Sequence, residues 1–165
     1  MTHPADEMSL PITLQPMTAD MYHDFFRAYE NDPDLYLDKA EFAEYVYDPV
    51  RVDAYIQRQI DRGRITFAIM HGGDIVGELK LYDIVPGESA VLGITMKNSR
   101  YKDRGFGTQA EKLAVAYAFE QLDVPVLYAD CILTNTRSQH VLEKVGFRFT
   151  HADDRKKYYR IERNG

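Results

Sequence analysis

Residues 90–96 are apolar on alternate positions in both registers. Ala90, Leu92, Ile94 and Met96 share one face, and Val91, Gly93 and Thr95 share the other. Neither face carries a charge, which predicts a central strand covered on both sides. A polar loop ending Arg104-Gly105-Phe106-Gly107-Thr108 follows. Beyond it Ala110, Leu113, Ala114, Tyr117 and Ala118 recur at the spacing of one helical stripe, with Gln109, Glu111, Lys112 and Glu120 expected to face water. The pattern then returns to a strand over 126–132 and a short helix before Gly146-Phe147.

The rest of the chain fits around this unit. Residues 1–10 read as a flexible lead, and residues 11–165 as a single domain. A first strand covers 12–14, and Thr18 or Asp20 caps a helix running to about Tyr29. Asn31-Asp32-Pro33-Asp34 is a turn, residues 39–47 are expected to be helical up to Asp48-Pro49, and a further helix covers 50–62 before Gly63. Strands over 65–71 and 74–84 flank a Gly72-Gly73 hairpin, and Pro86-Gly87 leads into the central strand. A final pair covers 147–151 and 157–163. Antiparallel strands followed by a strand–helix–strand unit imply a mixed α/β fold with one locally parallel pair.

Composition narrows the function. The formal charge of −6 argues against general nucleic-acid binding through phosphates. The acid is concentrated in the helical region, where Asp20, Asp24, Glu30, Asp32, Asp34, Asp38, Glu41, Glu44, Asp48, Asp53 and Asp61 outweigh Arg27, Lys39, Arg51 and Arg58. That is either an ordinary solvated face or a field that draws in a cation. A lone cysteine, Cys131, and no apolar run long enough to span a bilayer point to a cytoplasmic chain. No metal site is expected.

The loop before the long helix carries the clearest chemistry. Gly105 and Gly107 permit positive φ and close approach of a ligand, while the helix start offers unpaired N–H groups and a partial positive charge. Such a terminus accepts a diphosphate. Lys102 and Arg104 add positive charge; Asp103 has to turn outward. A dinucleotide fold would want a third glycine where Ala110 stands, although a nucleotide remains an alternative ligand. The residues Lys102-x-x-Gly105-x-Gly107, followed by Asn135-x-x-Ser138 and Leu142-Glu143-Lys144-Val145-Gly146-Phe147, resemble the GNAT N-acetyltransferase family. The N-x-x-S arrangement is most similar to the subgroup that acetylates ribosomal-protein N-termini, and to its bacterial relatives.

The resemblance implies a GNAT-like fold, a mostly antiparallel sheet with a splayed parallel strand pair and flanking helices. It implies acetyl-CoA as cofactor, held by Ile94, Thr95, Met96, the loop Lys102, Asp103, Arg104, Gly105, Phe106, Gly107 and Thr108, and by Asn135 and Arg137. The acceptor would be a primary amine, either a small cation or a protein N-terminus, and a homodimer is compatible with the family. Val91 replaces the usual glutamate base, so Asp130 is the favoured carboxylate over Glu78, Asp83 and Glu88. Leu142 replaces the usual tyrosine acid, leaving Ser138 to meet the departing thiolate. Gly93 is expected either to mark the bulge that starts the splay or to be a packing glycine. His140 reads as exposed and Cys131 as buried within its strand. The missing acid and base also leave room for a non-catalytic acyl-CoA-binding module.

Overall fold

A computed structural model describes residues 11–101 and 104–164; the expected lead at residues 1–10, and Lys102 and Asp103, lie outside the described residues. Seven strands form one sheet in the order β1-β2-β3-β4-β5-β7-β6. They are β1 (Ile12–Pro16), β2 (Ile65–His71), β3 (Asp74–Val85), β4 (Ser89–Met96), β5 (Val126–Ile132), β6 (Arg148–Ala152) and β7 (Lys156–Glu162). All neighbours are antiparallel except β4 and β5, the expected parallel pair.

Four helices cover the sheet: α1 (Ala19–Ala28), α2 (Pro49–Asp61), α3 (Phe106–Glu120) and α4 (Thr136–Val145). Their ends follow local chemistry. The Thr18 hydroxyl accepts from Met21 N at 3.2 Å, the Asp48 carboxylate from Val50 N at 3.0 Å, and the Asn135 amide oxygen from Ser138 N at 3.1 Å. Each such cap contributes about 1 kcal/mol. Gly146, with φ +116°, closes α4 in the left-handed conformation.

Strand alternation sorts the two faces. Phe67, Ile69, Leu79, Leu81 and Leu92 join Phe106, Ala110, Ala114 and Ala118 of α3 and Leu142 of α4 in the main core. On the opposite face Tyr22 and Phe25 of α1 and Val52 of α2 are buried. Tyr22 there bonds to Glu78 of β3.

Three expectations change. Residues 39–47 are not helical: only Lys39–Glu41 forms a single 3-10 turn. Phe42 then packs edge-on against Tyr36, and Tyr45 against Tyr29 and Phe26, contacts that keep this stretch extended. Glu111 does not face water; it is 2% exposed, while Leu113 is 41% exposed. At about 100° per residue the two lie on opposite margins of the α3 stripe, and on the Glu111 side a Cβ on Gly107, one turn earlier, would stand 3.9 Å from Val141 of α4. Of the two readings of Gly93, the bulge is the one that fails. The β3–β4 register runs through it unbroken, with Lys80 opposite Gly93, and a Cβ there would stand 3.2 Å from Tyr82 Cε1. It is a packing glycine.

Candidate active site

The parallel pairing of β4 and β5 stops at Leu92 opposite Ala129. Neither strand ends there. β4 stays paired with β3 as far as Met96, and β5 with β7 as far as Ile132. The two strands therefore part while each remains anchored on its outer side, exposing inner-edge backbone groups that a ligand can bond as a further strand would.

The gap opens into a cleft of about 570 Å³, lined in part by Ile94, Thr95, Met96, Gly105, Gly107 and Thr108. Asn135, Arg137 and Ser138 line its other wall. A smaller cavity of about 230 Å³ reaches Tyr82, Asp130, Cys131, Leu142 and Lys156. Ile94, Glu111, Asn135 and Ser138 border both, so the cavities meet where the strands part.

One end of the cleft is the start of α3. Gly105 has φ +78° and no side chain caps the helix. The first intrahelical bond is from Gln109 N to Gly105 O, which leaves the N–H groups of Phe106, Gly107 and Thr108 without a partner among the described residues. A Cβ on Gly105 would meet nothing within 4 Å, so the approach is open. No acidic residue sits in the first turn. These features suit a diphosphate, and the parted strands suit the extended amide arm that follows it in CoA.

Not every expected residue reaches the cleft. Phe106 is 1% exposed, its ring 4.6 Å from that of His71, so only its main chain can face a ligand. Arg104 lies over the Phe106 ring at 4.8 Å and is not a lining residue. Lys102 and Asp103 fall outside the described residues. Asp130 is half-buried and pairs with Lys156 at 3.1 Å. His140 is exposed at the cleft rim.

Burial raises the Cys131 thiol above its ordinary range, opposed by a hydrogen bond with Ser138. Burial likewise raises the Tyr82 hydroxyl, assisted by the nearby Asp130 charge. The group missed from sequence is Glu111. Its Oε2 has no hydrogen-bond partner among the described residues, and burial pushes its carboxyl up to about 8. No local signal in α3 marks it, because the burial of that margin depends on the packing of α4.

The sheet with one parted parallel pair, and an uncapped helix start beside the opening, defines the class of folds that seat an acyl-CoA between two strands. A family model described as the acetyltransferase (GNAT) domain matches residues 12–148. The chain is 29% identical over 118 residues to the probable N-acetyltransferase YjcK of Bacillus subtilis (strain 168), a match covering 61% of this chain and 65% of that protein. A spermidine N-acetyltransferase from Vibrio cholerae, solved with CoA and spermine, superposes with a TM-score of 0.75 at 17% identity, covering 93% of this chain and 96% of that one. Aminoglycoside acetyltransferase AAC(6')-Ib, solved with coenzyme A, superposes with a TM-score of 0.74 at 15% identity, covering 93% and 95%. At these identities the structural likeness is one of fold. The chain belongs to the GNAT acetyltransferase family.

Proposed function

We propose that this protein, working as one domain over residues 11–165, transfers the acetyl group of acetyl-CoA to a primary amine by direct attack in a ternary complex. The observation that carries this reading is the parting of β4 and β5 after Leu92 and Ala129, beside the uncapped start of α3. Acetyl-CoA supplies an acetyl group activated as a thioester. The N–H groups of Phe106, Gly107 and Thr108 receive the diphosphate, and the inner edge of residues 94–96 bonds the amide arm. A main-chain N–H of that edge also stabilises the negative charge that develops on the carbonyl oxygen.

The acceptor must lose a proton first. An alkyl ammonium of pKa about 10.4 is less than roughly 0.1% neutral at pH 7. Asp130 lines the smaller cavity, and it takes that proton directly or through water. Its partner Lys156 is 43% exposed, so the ion pair is screened and readily exchanged for an incoming ammonium. Ser138 donates a hydrogen bond to the departing sulfur, in the place where Leu142 cannot.

A small cationic amine is the favoured acceptor, because Asp32 and Tyr29 border the cleft at the edge of the acidic helical region. The spermine seen with the Vibrio cholerae relative agrees with this. The N-x-x-S arrangement of Asn135 and Ser138, similar to that of enzymes acting on ribosomal-protein N-termini, keeps a peptide N-terminus as the second acceptor.

Thiol release from acetyl-CoA is to be followed with polyamines, aminoglycosides and N-terminal peptides. Turnover on at least one amine is expected; tight CoA binding with no turnover on any would instead support a non-catalytic acyl-CoA-binding module. Ser138→Ala should lower kcat about tenfold, the worth of one hydrogen bond to a charged sulfur, with CoA affinity nearly unchanged. Lost CoA affinity would make Ser138 a structural residue.

A further inference from the structure

Acyl transfer to an amine releases a thiolate, and the groups so far assigned do not supply its proton. Leu142 has no acidic hydrogen, and a serine hydroxyl is too weak an acid to give its proton away; it can only lend a hydrogen bond or pass a proton along. Glu111 is the one lining carboxyl that borders both cavities. It is 2% exposed, and its Oε2 meets no donor or acceptor among the described residues. A buried carboxyl oxygen with no donor is costly unless the group keeps its proton or meets a ligand.

We infer that Glu111 is the general acid of this site, giving its proton to the CoA sulfur as the carbon–sulfur bond breaks, directly or through the Ser138 hydroxyl. This rests on the acetyl-transfer reading above. In the step the amine nitrogen bonds the carbonyl carbon, and the carbon–sulfur electron pair moves onto sulfur. The Glu111 proton then joins that pair and leaves a carboxylate. Asp130 holds the proton the ammonium lost before attack, the second proton lost by the nitrogen as the amide forms goes to water, and Glu111 regains one from solvent once CoA departs.

Three further observations support the assignment. Glu111 of α3, Cys131 of β5 and Ser138 of α4 line the same smaller cavity, Ser138 bonding to the Cys131 thiol and the Glu111 charge acting on it. The carboxyl, raised to about 8 by burial alone, still holds its proton at neutral pH. That value lies close to the ordinary thiol range of about 8.5, so transfer to sulfur is nearly balanced in energy. The charged and titratable groups lining the two cavities with it are Arg137, His140 and Lys144 of α4, Cys131 and Asp130 of β5, Lys156 of β7, Tyr82 of β3, and Tyr29, Asp32 and Tyr101 of the loops, among the described residues. None of them contributes to the shift at Glu111.

The test does not need the acceptor. CoA is bound to the wild type, Glu111→Gln and Glu111→Met, and thiolate ultraviolet absorbance is followed against pH. If Glu111 faces the sulfur, the wild type titrates in two coupled steps, the second displaced upward by about one pH unit or more. Both variants should give a single step at lower pH. Coincident curves for all three proteins would overturn the inference while leaving the acetyl-transfer reading intact. Failure of the wild type to bind CoA would remove that reading, and this inference with it. Once an acceptor is known, Glu111→Gln should lower kcat about 100-fold or more, with the KM for acetyl-CoA within about twofold. A variant that keeps its kcat, or that loses CoA affinity in step with its rate, would make Glu111 a packing residue.

Discussion

Glu78 and Glu111 are equally buried, each 2% exposed, on opposite faces of one sheet, and their surroundings are opposites. Glu78 receives the Tyr22 hydroxyl at 2.5 Å and the Tyr55 hydroxyl at 2.8 Å, with Lys80 Nζ at 3.9 Å. Burial, reinforced by the Glu78 charge, keeps both tyrosines protonated well above the usual tyrosine range. Burial, with the Arg64 charge, lowers the Lys80 ammonium, which Glu78 opposes. Glu111 has no such donors. The first carboxylate ties α1 and α2 to β3; the second is left unanswered where a ligand would answer it. Groups that weaken the fold without evident compensation belong where function needs them.

Replacing each glutamate separates the two roles. Glu78→Leu strands two buried hydroxyls and a half-buried ammonium, and should cost about 4 kcal/mol in urea unfolding at pH 7. A loss below about 1 kcal/mol would mean that the network is not holding α1 and α2. Glu111→Gln should act in the opposite direction and depend on pH. The folded carboxyl is raised from its ordinary 4.5 to about 8. Between those values the folded chain holds a proton that the unfolded chain has lost, so stability falls as pH rises through the window. The advantage of Glu111→Gln over the wild type should therefore grow by about 3 kcal/mol between pH 5 and pH 7. An advantage that does not change with pH would show that the carboxyl is ionised throughout. A smaller effect belongs to the helix start: Gly105→Ala at φ +78° should cost about 1 kcal/mol and weaken CoA binding, whereas an unchanged affinity would place the diphosphate elsewhere.

Much of this was legible in the residues. The alternation of residues 90–96 and the two glycines after Arg104 specify a strand, a turn and a helix start locally, and they formed as read. Residues 39–47 misled because Phe42 and Tyr45 lie three apart, a helical spacing, yet their partners Tyr36 and Tyr29 belong to neighbouring loop and helix. Glu111 misled for a related reason: whether the margin of α3 is wet depends on where α4 docks, which α3 itself does not encode. The parting of β4 from β5 is likewise a property of pairing across a helical crossover. The tyrosines that answer Glu78 come from 56 and 23 residues upstream, beyond the reach of any local pattern.

A crystal structure of the protein soaked with CoA tests the central claim most directly. The account predicts the diphosphate on the main-chain amides of residues 106–108, the amide arm between β4 and β5, and the sulfur beside Ser138 and Glu111. Density for CoA anywhere else, or a cleft that stays closed to it at saturating concentration, would contradict it.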